Sequence, residues 1–310
     1  MPDADRSTLV ACSAGADSSA LALALASVNA PITIAHILHD MRPCADAEHD
    51  REAAAALASA LDRPFVAWEA RAWSSGGNVE ALLRQQRYNA RAQIARSHGC
   101  RAVATGHHAD DQAETVLMRL MRGAGPRGLR GILPVRGLPN GIDVVRPMLG
   151  TRRREALELC ERCGWLWRED PTNADPARLR AAVRGSIVPT LESISPHAVE
   201  RIASAAEVQR DVDAFIQRRA ASLLRRAEHI GAAHRWERSL LAGQPVVVLG
   251  AVSRQIAGRE SGGAGDTWRA ASELSRVLRS TSTERKTCEV GRVRWSVDAS
   301  SASCTARNGD

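Results

Sequence analysis

Two short stretches carry residues whose types and spacing could do chemistry. SAGADSS, Ser13 to Ser19, joins an apolar run to a helix-forming one. A polar joint between two buried elements costs stability unless something polar binds it. A helix N-terminus has unpaired N–H groups and a partial positive charge, and an anion satisfies both. Ser13 and Ser18 can add hydroxyl donors there, and Gly15 lets the backbone approach a ligand closely. Asp17 would repel phosphate unless a Mg²⁺ ion bridged the two. The stretch therefore reads as a phosphate-binding loop with a metal-linked carboxylate. It is not a Walker A loop, because no G-K-[ST] is present and Lys286 is the only lysine. The competing reading is an ordinary strand–turn–helix joint with an Asp/Ser cap.

The second stretch is GHHADDQAET, Gly106 to Thr115. Asp111 and Glu114 are three apart and Asp110 and Glu114 four apart, so each pair shares a helix face. Such pairs suit Mg²⁺ or an ammonium group. The helix dipole accounts for Asp110 and Asp111 at a helix start but not for His107 and His108. The spacing fits no zinc pattern.

The elements that must position these groups alternate. Thr8-LVAC, Ile32-TIAHI, Phe65-VAW, Arg101-AVATG and Asp143-VVRPML read as strands. Helices are expected over Ser18–Ser27, Asp46–Leu61, from a cap at Asn78 to Ser97, Asp110–Arg122 and Thr151–Cys163. This alternation predicts an α/β fold, a doubly wound, mostly parallel sheet with helices on both faces. Ligands in such sheets sit beyond the C-terminal strand ends, where SAGADS, His36 to Arg42 and GHHADD fall. Gly123 to Gly141 is rich in Gly, Pro and Arg and reads as a long functional loop. Arg168-EDPTNADP is a turn-rich joint, followed by a helix over Arg178–Leu191 that ends at Pro189 and its surroundings. The expected domains are 1–192, catalytic, and 193–300, a smaller, mainly helical region. The latter holds a long amphipathic helical region from His197 to His229, a helix over Trp268–Ser280 and a hairpin around Gly291-Arg292. Residues 301–310, small and polar, are expected as a disordered tail.

Composition bounds the function. The chain has 310 residues and a net charge of +7, carried almost wholly by arginine. Arginine forks match phosphate, which favours a polyanionic partner. Seven irregularly spaced cysteines and no apolar leader point to free thiols in a reducing, cytoplasmic compartment. No apolar run approaches the roughly 18 to 20 residues that span a bilayer. No membrane partner is expected, and a homodimer is compatible with the sequence.

SAGADSSAL resembles the SGGxDS loop of the N-type ATP pyrophosphatases. Within that superfamily the chain resembles the tRNA(Ile)-lysidine synthase family. The likeness runs in order through His36-ILHDMR, Asn78-VEALLRQQRY, GHHADDQAETVLMRLMRGAGPRGLRGI, Arg146-PMLGTRR and Glu169-DPTNAD, over roughly residues 7 to 191. The resemblance implies an adenine nucleotide alpha hydrolase-like sheet. It also implies ligation of free L-lysine to C2 of the wobble cytidine in an isoleucine tRNA with a CAU anticodon. ATP with Mg²⁺ adenylates the cytidine, and AMP then leaves. It implies that Ser13, Ala14, Gly15, Ala16, Asp17, Ser18, His36, Arg42, Gly106 and His107 hold the nucleotide. Asp17, His107, Asp111 and Glu114 become the catalytic candidates, and Asp17 and Asp110 the Mg²⁺ ligands. Asp111 and Glu114 would hold lysine's ammonium groups. Arg127, Arg146, Arg180 and Arg184 would meet substrate, and Arg127, Arg130 and Arg152 to Arg154 would track tRNA phosphates.

The sequence departs from the family pattern at two places. Ala14 replaces the second Gly of SGGxDS, and fits only at negative φ or with strain. Ala181 replaces an amide between Arg180 and Arg184. The nearest rival is a 2-thiocytidine-type thiolating relative, for which Cys160 and Cys163 form only a lone C-x-x-C. The other is a non-catalytic RNA-binding member of the fold.

Overall fold

The computed structural model describes residues 7–39, 44–70, 79–138, 141–168, 179–258 and 264–307. The chain divides into two compact units, 1–115 with 132–203, and 116–131 with 204–310. The division falls after Ala203, beyond the expected 192, and assigns 116–131 to the second unit.

The first unit contains strands β1 (Thr8–Ala11), β2 (Ile32–His39), β3 (Phe65–Ala70), β4 (Ala102–Ala104), β5 (Val135–Gly137) and β6 (Asp143–Val145). They form one sheet in the order β3-β2-β1-β4-β6-β5. Every pairing is parallel except β5 with β6. Helices α1 (Ala16–Ser27), α2 (Cys44–Ala60), α3 (Val79–Ser97), α4 (Ala109–Met121) and α6 (Arg153–Arg162) connect or flank the strands, and α5 (Pro126–Leu129) follows α4.

Strand side chains alternate between two covered faces, which is why the central strands β1 and β4 bury apolar residues at successive positions rather than at every second one. Val10, Ile34 and Ala104 point into a cluster with Leu21, Leu57 and Cys160 from α1, α2 and α6. Leu9, Ala35 and Val103 point the other way, to Ala92, Ile94 and Ala95 on α3. With few aromatics, the layers are filled by Ala, Leu, Val and Ile, each large member contributing about 1.5–3 kcal/mol on burial.

Beyond the sheet, α7 (Leu179–Ala182), a π-helical turn (Val183–Ile187) and α8 (Val188–Ile194) run on without a break. The expected end at Pro189 is not found. Proline has no N–H for the carbonyl four residues back, and the chain widens to a π turn just before it.

The second unit takes most of α9 (Ala198–Leu224), then β7 (Glu228–Ile230), β8 (Ala233–Glu237), α10 (Arg238–Ala242), α11 (Val246–Ala257), α12 (Ala264–Arg279), β9 (Lys286–Val290), β10 (Val293–Val297) and β11 (Ser301–Ala306). Its sheet is antiparallel, in the order β7-β8-β11-β10-β9. The hairpin at Gly291-Arg292 is present, with Gly291 at φ 61°. Trp236 and Trp295 stack 5.6 Å apart at the centre of the core, their indole N–H groups donating to the Leu223 carbonyl and Ser253 Oγ.

The expected disordered tail is corrected here. Ser301–Ala306 is a central strand between β8 and β10. Ala302 and Cys304 are buried while Thr305 faces out, a period of two that small side chains disguise as low complexity. No helix among the described residues is long and apolar enough to cross a membrane.

Candidate active site at the strand ends

The loop after β1 is pinned at both ends. The Cys12 N–H extends the ladder to the Ala35 carbonyl at 2.9 Å, and the Arg168 N–H donates to the Ala14 carbonyl at 3.0 Å. Ala14 has φ 63°, the left-handed region where an L side chain is strained by roughly 1–2 kcal/mol. Gly15 is the N-cap of α1 at φ −76°, and no side chain caps the helix's first turn. Ser18, expected as a ligand donor, instead holds the loop closed. Its buried hydroxyl donates to the Gly15 carbonyl at 3.0 Å and accepts from the Ser13 N–H at 3.1 Å. Ser13 is exposed, and Ala16 is buried, its carbonyl taking the Cys160 thiol proton at 3.6 Å.

Gly106 explains its own identity. A Cβ there would lie 2.6 Å from the Asp17 carbonyl oxygen and 3.1 Å from the Ser18 nitrogen. Only glycine lets the β4–α4 connection lie against the start of α1. At Gly15 an added Cβ would meet only ordinary contacts, at 3.6 and 3.8 Å.

The loop and the α4 stretch meet at His108, which the sequence reading left outside the catalytic set. It is fully buried at the N-cap of α4, its backbone N–H donating to Asp111 Oδ2 at 3.1 Å. Its Nε2 lies 3.6 Å from Asp17 Oδ2 and 3.4 Å from Asp111 Oδ2, and its Nδ1 lies 3.5 Å from Asp110 Oδ2. Burial alone would push the ring's pKa down. The close approach of Asp110 and Asp17 and the charges of Asp111 and Asp17 outweigh it and raise it to about 9. The ring is therefore a cation among three carboxylates. In the ring's neutral form the Asp111 backbone N–H donates to His108 Nδ1 at 3.3 Å.

His107 has the opposite character. Burial, with the charges of Arg146, Arg91 and Arg180, outweighs the pull of Asp111 and lowers its pKa to about 4. It is neutral at physiological pH, with Nδ1 2.9 Å from Thr105 Oγ1. His36 is buried and its Nδ1 donates to the Cys12 carbonyl at 2.9 Å, bracing the end of β1.

Asp17 carries the metal reading. Burial opposes its charge, but His108, Arg153 and Arg184 hold its carboxyl below the ordinary value. Its Oδ1 is buried with no hydrogen-bond partner among the described residues. A lone ionised carboxylate oxygen fits Mg²⁺, which takes one or two carboxylates and fills the rest of its shell with phosphate and water. Asp110 does not fit that role. Arg152 grips both its oxygens at 3.2–3.3 Å, and the Arg153 N–H donates to Oδ2 at 2.7 Å. Arg152 also reaches Glu192 at 3.2 Å and Glu200 at 2.8 Å, so this half-buried side chain braces three carboxylates.

Asp111 and Glu114 share a face as expected, and both are buried. Arg180 and Arg184 cover them. Arg180 Nη2 lies 2.5 Å from Asp111 Oδ1 and its Nε 2.8 Å from Glu114 Oε2. Arg184 Nε lies 2.5 Å from Glu114 Oε1. Side-chain exposures of 45% and 36% leave both guanidiniums open to solvent on one side.

Arg146 is buried, donating to the Leu133 carbonyl at 2.6 Å and towards the Tyr88 hydroxyl at 3.4 Å, which corrects its reading as a substrate contact. Arg127 lies on α5, in the second compact unit. Arg42 and the EDPTNAD joint lie outside the described residues.

The chain is similar to known proteins in both sequence and fold. Residues 1–191 match the family described as the PP-loop domain. The tRNA(Ile)-lysidine synthase of Geobacter sulfurreducens is 38% identical over 70% of this chain and 47% of its own length. That of Bordetella parapertussis is 37% identical over 66% of this chain and 62% of its own. The chain thus spans about half to three-fifths of these curated relatives. The U34-tRNA thiolase NcsA of Methanococcus maripaludis shares the fold, with a TM-score of 0.52 at 17% identity, covering 66% of this chain and 72% of its own. With the strand-end loop, the GHHADD helix and the parallel sheet in place, the chain belongs to the PP-loop family, among relatives named tRNA(Ile)-lysidine synthase.

Proposed function

We propose that this chain uses Mg·ATP to join free lysine to C2 of the wobble cytidine of a CAU-anticodon isoleucine tRNA, releasing pyrophosphate and AMP. The observation that carries the reading is the continuous set of contacts from Asp17 through His108 to Asp111, next to Glu114. These contacts support reading the loop as phosphate-binding and the carboxylates as cation-binding, on either side of one buried histidine. A reaction that must bring the α-phosphorus of ATP to O2 and an amine to C2 of the same base needs both.

The uncapped first turn of α1 receives the phosphates, and Gly106 keeps that turn accessible by letting the neighbouring loop lie flat against it. A Mg²⁺ ion held by Asp17 would neutralise phosphate charge as pyrophosphate departs. His108 fixes the Asp17 carboxylate and offsets the negative charge that Asp17, Asp110 and Asp111 bring together. Asp111 and Glu114 receive lysine's ammonium groups, exchanging their contacts with the half-exposed Arg180 and Arg184 for contacts with substrate. The attacking amine must be neutral, and a carboxylate of this pair takes its proton. His107, being neutral, adds no positive charge to compete for lysine.

The two half-reactions can be separated. With Mg·ATP and the CAU transcript but no lysine, pyrophosphate should appear in a burst of about one per active site, with AMP release waiting for lysine. AMP release that ignores lysine would count against the assignment.

A further inference from the structure

The three arginines Arg152 to Arg154 stand together in sequence but do different things. Arg152 is spent on Asp110, Glu192 and Glu200. Arg153 opens α6, and its backbone N–H is fixed by Asp110 Oδ2 at 2.7 Å. α6 packs against α1, with the Cys160 thiol donating to the Ala16 carbonyl inside the phosphate loop. This places the Arg153 guanidinium over the loop, Nε 4.0 Å from Asp17 Oδ1, with the side chain 46% exposed. That separation is beyond a hydrogen bond. The Asp17 oxygen it faces is the buried one that has no hydrogen-bond partner among the described residues. A guanidinium with donors to spare, the carboxylate oxygen it faces across 4.0 Å without a hydrogen bond, and an uncapped helix N-terminus thus border one space. A tRNA backbone contact would need none of the other two.

We propose that Arg153 is an ATP-contacting residue that binds the β- and γ-phosphates and the departing pyrophosphate, rather than a tRNA phosphate contact. The inference rests on the phosphate-loop reading above. As the bond from cytidine O2 to the α-phosphorus forms, the bond from that phosphorus to the bridging oxygen breaks. The electron pair leaves on pyrophosphate, and Arg153 meets the charge that gathers there. A planar fork suits this, since it can engage two phosphate oxygens at once.

The test is direct binding of magnesium pyrophosphate, and separately of Mg·ATP, to the full chain by calorimetry. The variants are Arg153→Ala, Arg153→Lys and, as a control of equal charge on the same helix, Arg162→Ala. Filter binding of the CAU transcript is measured in parallel. Loss of one charge-assisted contact predicts roughly 10- to 100-fold weaker pyrophosphate binding for Arg153→Ala, partly recovered by lysine, with Arg162→Ala and tRNA affinity within about twofold of wild type. Unchanged pyrophosphate affinity in Arg153→Ala would overturn the proposal. So would an equal loss in Arg162→Ala, or weakened tRNA binding with pyrophosphate binding kept. A wild-type chain that binds neither pyrophosphate nor ATP would overturn the phosphate-loop reading as well.

Discussion

Gly106 lies against Asp17 so closely that a single methyl group at residue 106 would stand 2.6 Å from the Asp17 carbonyl oxygen. The obstacle is backbone at the start of a buried helix, so it cannot swing aside. Gly106→Ala should therefore push α1 and the β4–α4 connection apart, costing about 1–3 kcal/mol of stability and most of the ATP affinity. Thermal denaturation and ATP calorimetry measure the two effects. A variant that melts and binds like wild type would show that the two loops are not in contact.

Ala14 offers the reverse experiment. At φ 63° it carries strain that glycine would not. Relief of roughly 1–2 kcal/mol, less about 0.4–1 kcal/mol for the looser unfolded chain, leaves Ala14→Gly slightly more stable. The melting temperature should rise and ATP affinity should hold or improve. A fall in melting temperature would place Ala14 outside the left-handed region.

The alternation of strands and helices was open to reading because a sheet buried on both faces demands apolar strands, and Leu9 with Val10 or Val103 with Ala104 show both faces filled. The grouping of Asp111 with Glu114 was legible from helical spacing alone. What covers them was not, because Arg180 and Arg184 come from more than sixty residues away. Arg146 and Arg152 read as substrate and tRNA-phosphate contacts for the same reason: their carbonyl and carboxylate partners are set by tertiary packing. His108 had a signal, since a histidine just before two aspartates on a helix start opposes the dipole. Its meaning needed the Asp17 loop beside it. The last strand was missed because Ala and Ser alternate too softly to show a period of two.

His108 makes stability depend on pH. Its pKa of about 9 in the folded chain lies above the ordinary 6.5, worth about 3 kcal/mol. That stabilisation is fully present below about pH 6.5 and is lost as pH rises through about 9. Wild type should lose melting temperature over this window, while His108→Gln should start lower and vary less. Parallel profiles for the two proteins would contradict a buried imidazolium.

Asp17→Asn removes the carboxylate charge of the loop while keeping its shape. Pyrophosphate release should fall roughly 100-fold or more, with the circular dichroism spectrum unchanged. Near-normal release by a folded variant would remove Asp17 from the chemistry.

Glu114→Gln should separate lysine from ATP. The KM for lysine is expected to rise roughly 10-fold or more, with ATP affinity within about twofold of wild type. An unaltered KM for lysine would mean that the carboxylates serve only Arg180 and Arg184.

The most direct measurement of the central claim follows radiolabelled lysine into RNA. The full chain is incubated with ATP, Mg²⁺, labelled lysine and an isoleucine tRNA transcript bearing a CAU anticodon, with a UAU transcript alongside. The account predicts label in the CAU transcript alone, dependent on ATP. No label despite bound ATP, or equal label in both transcripts, would contradict it.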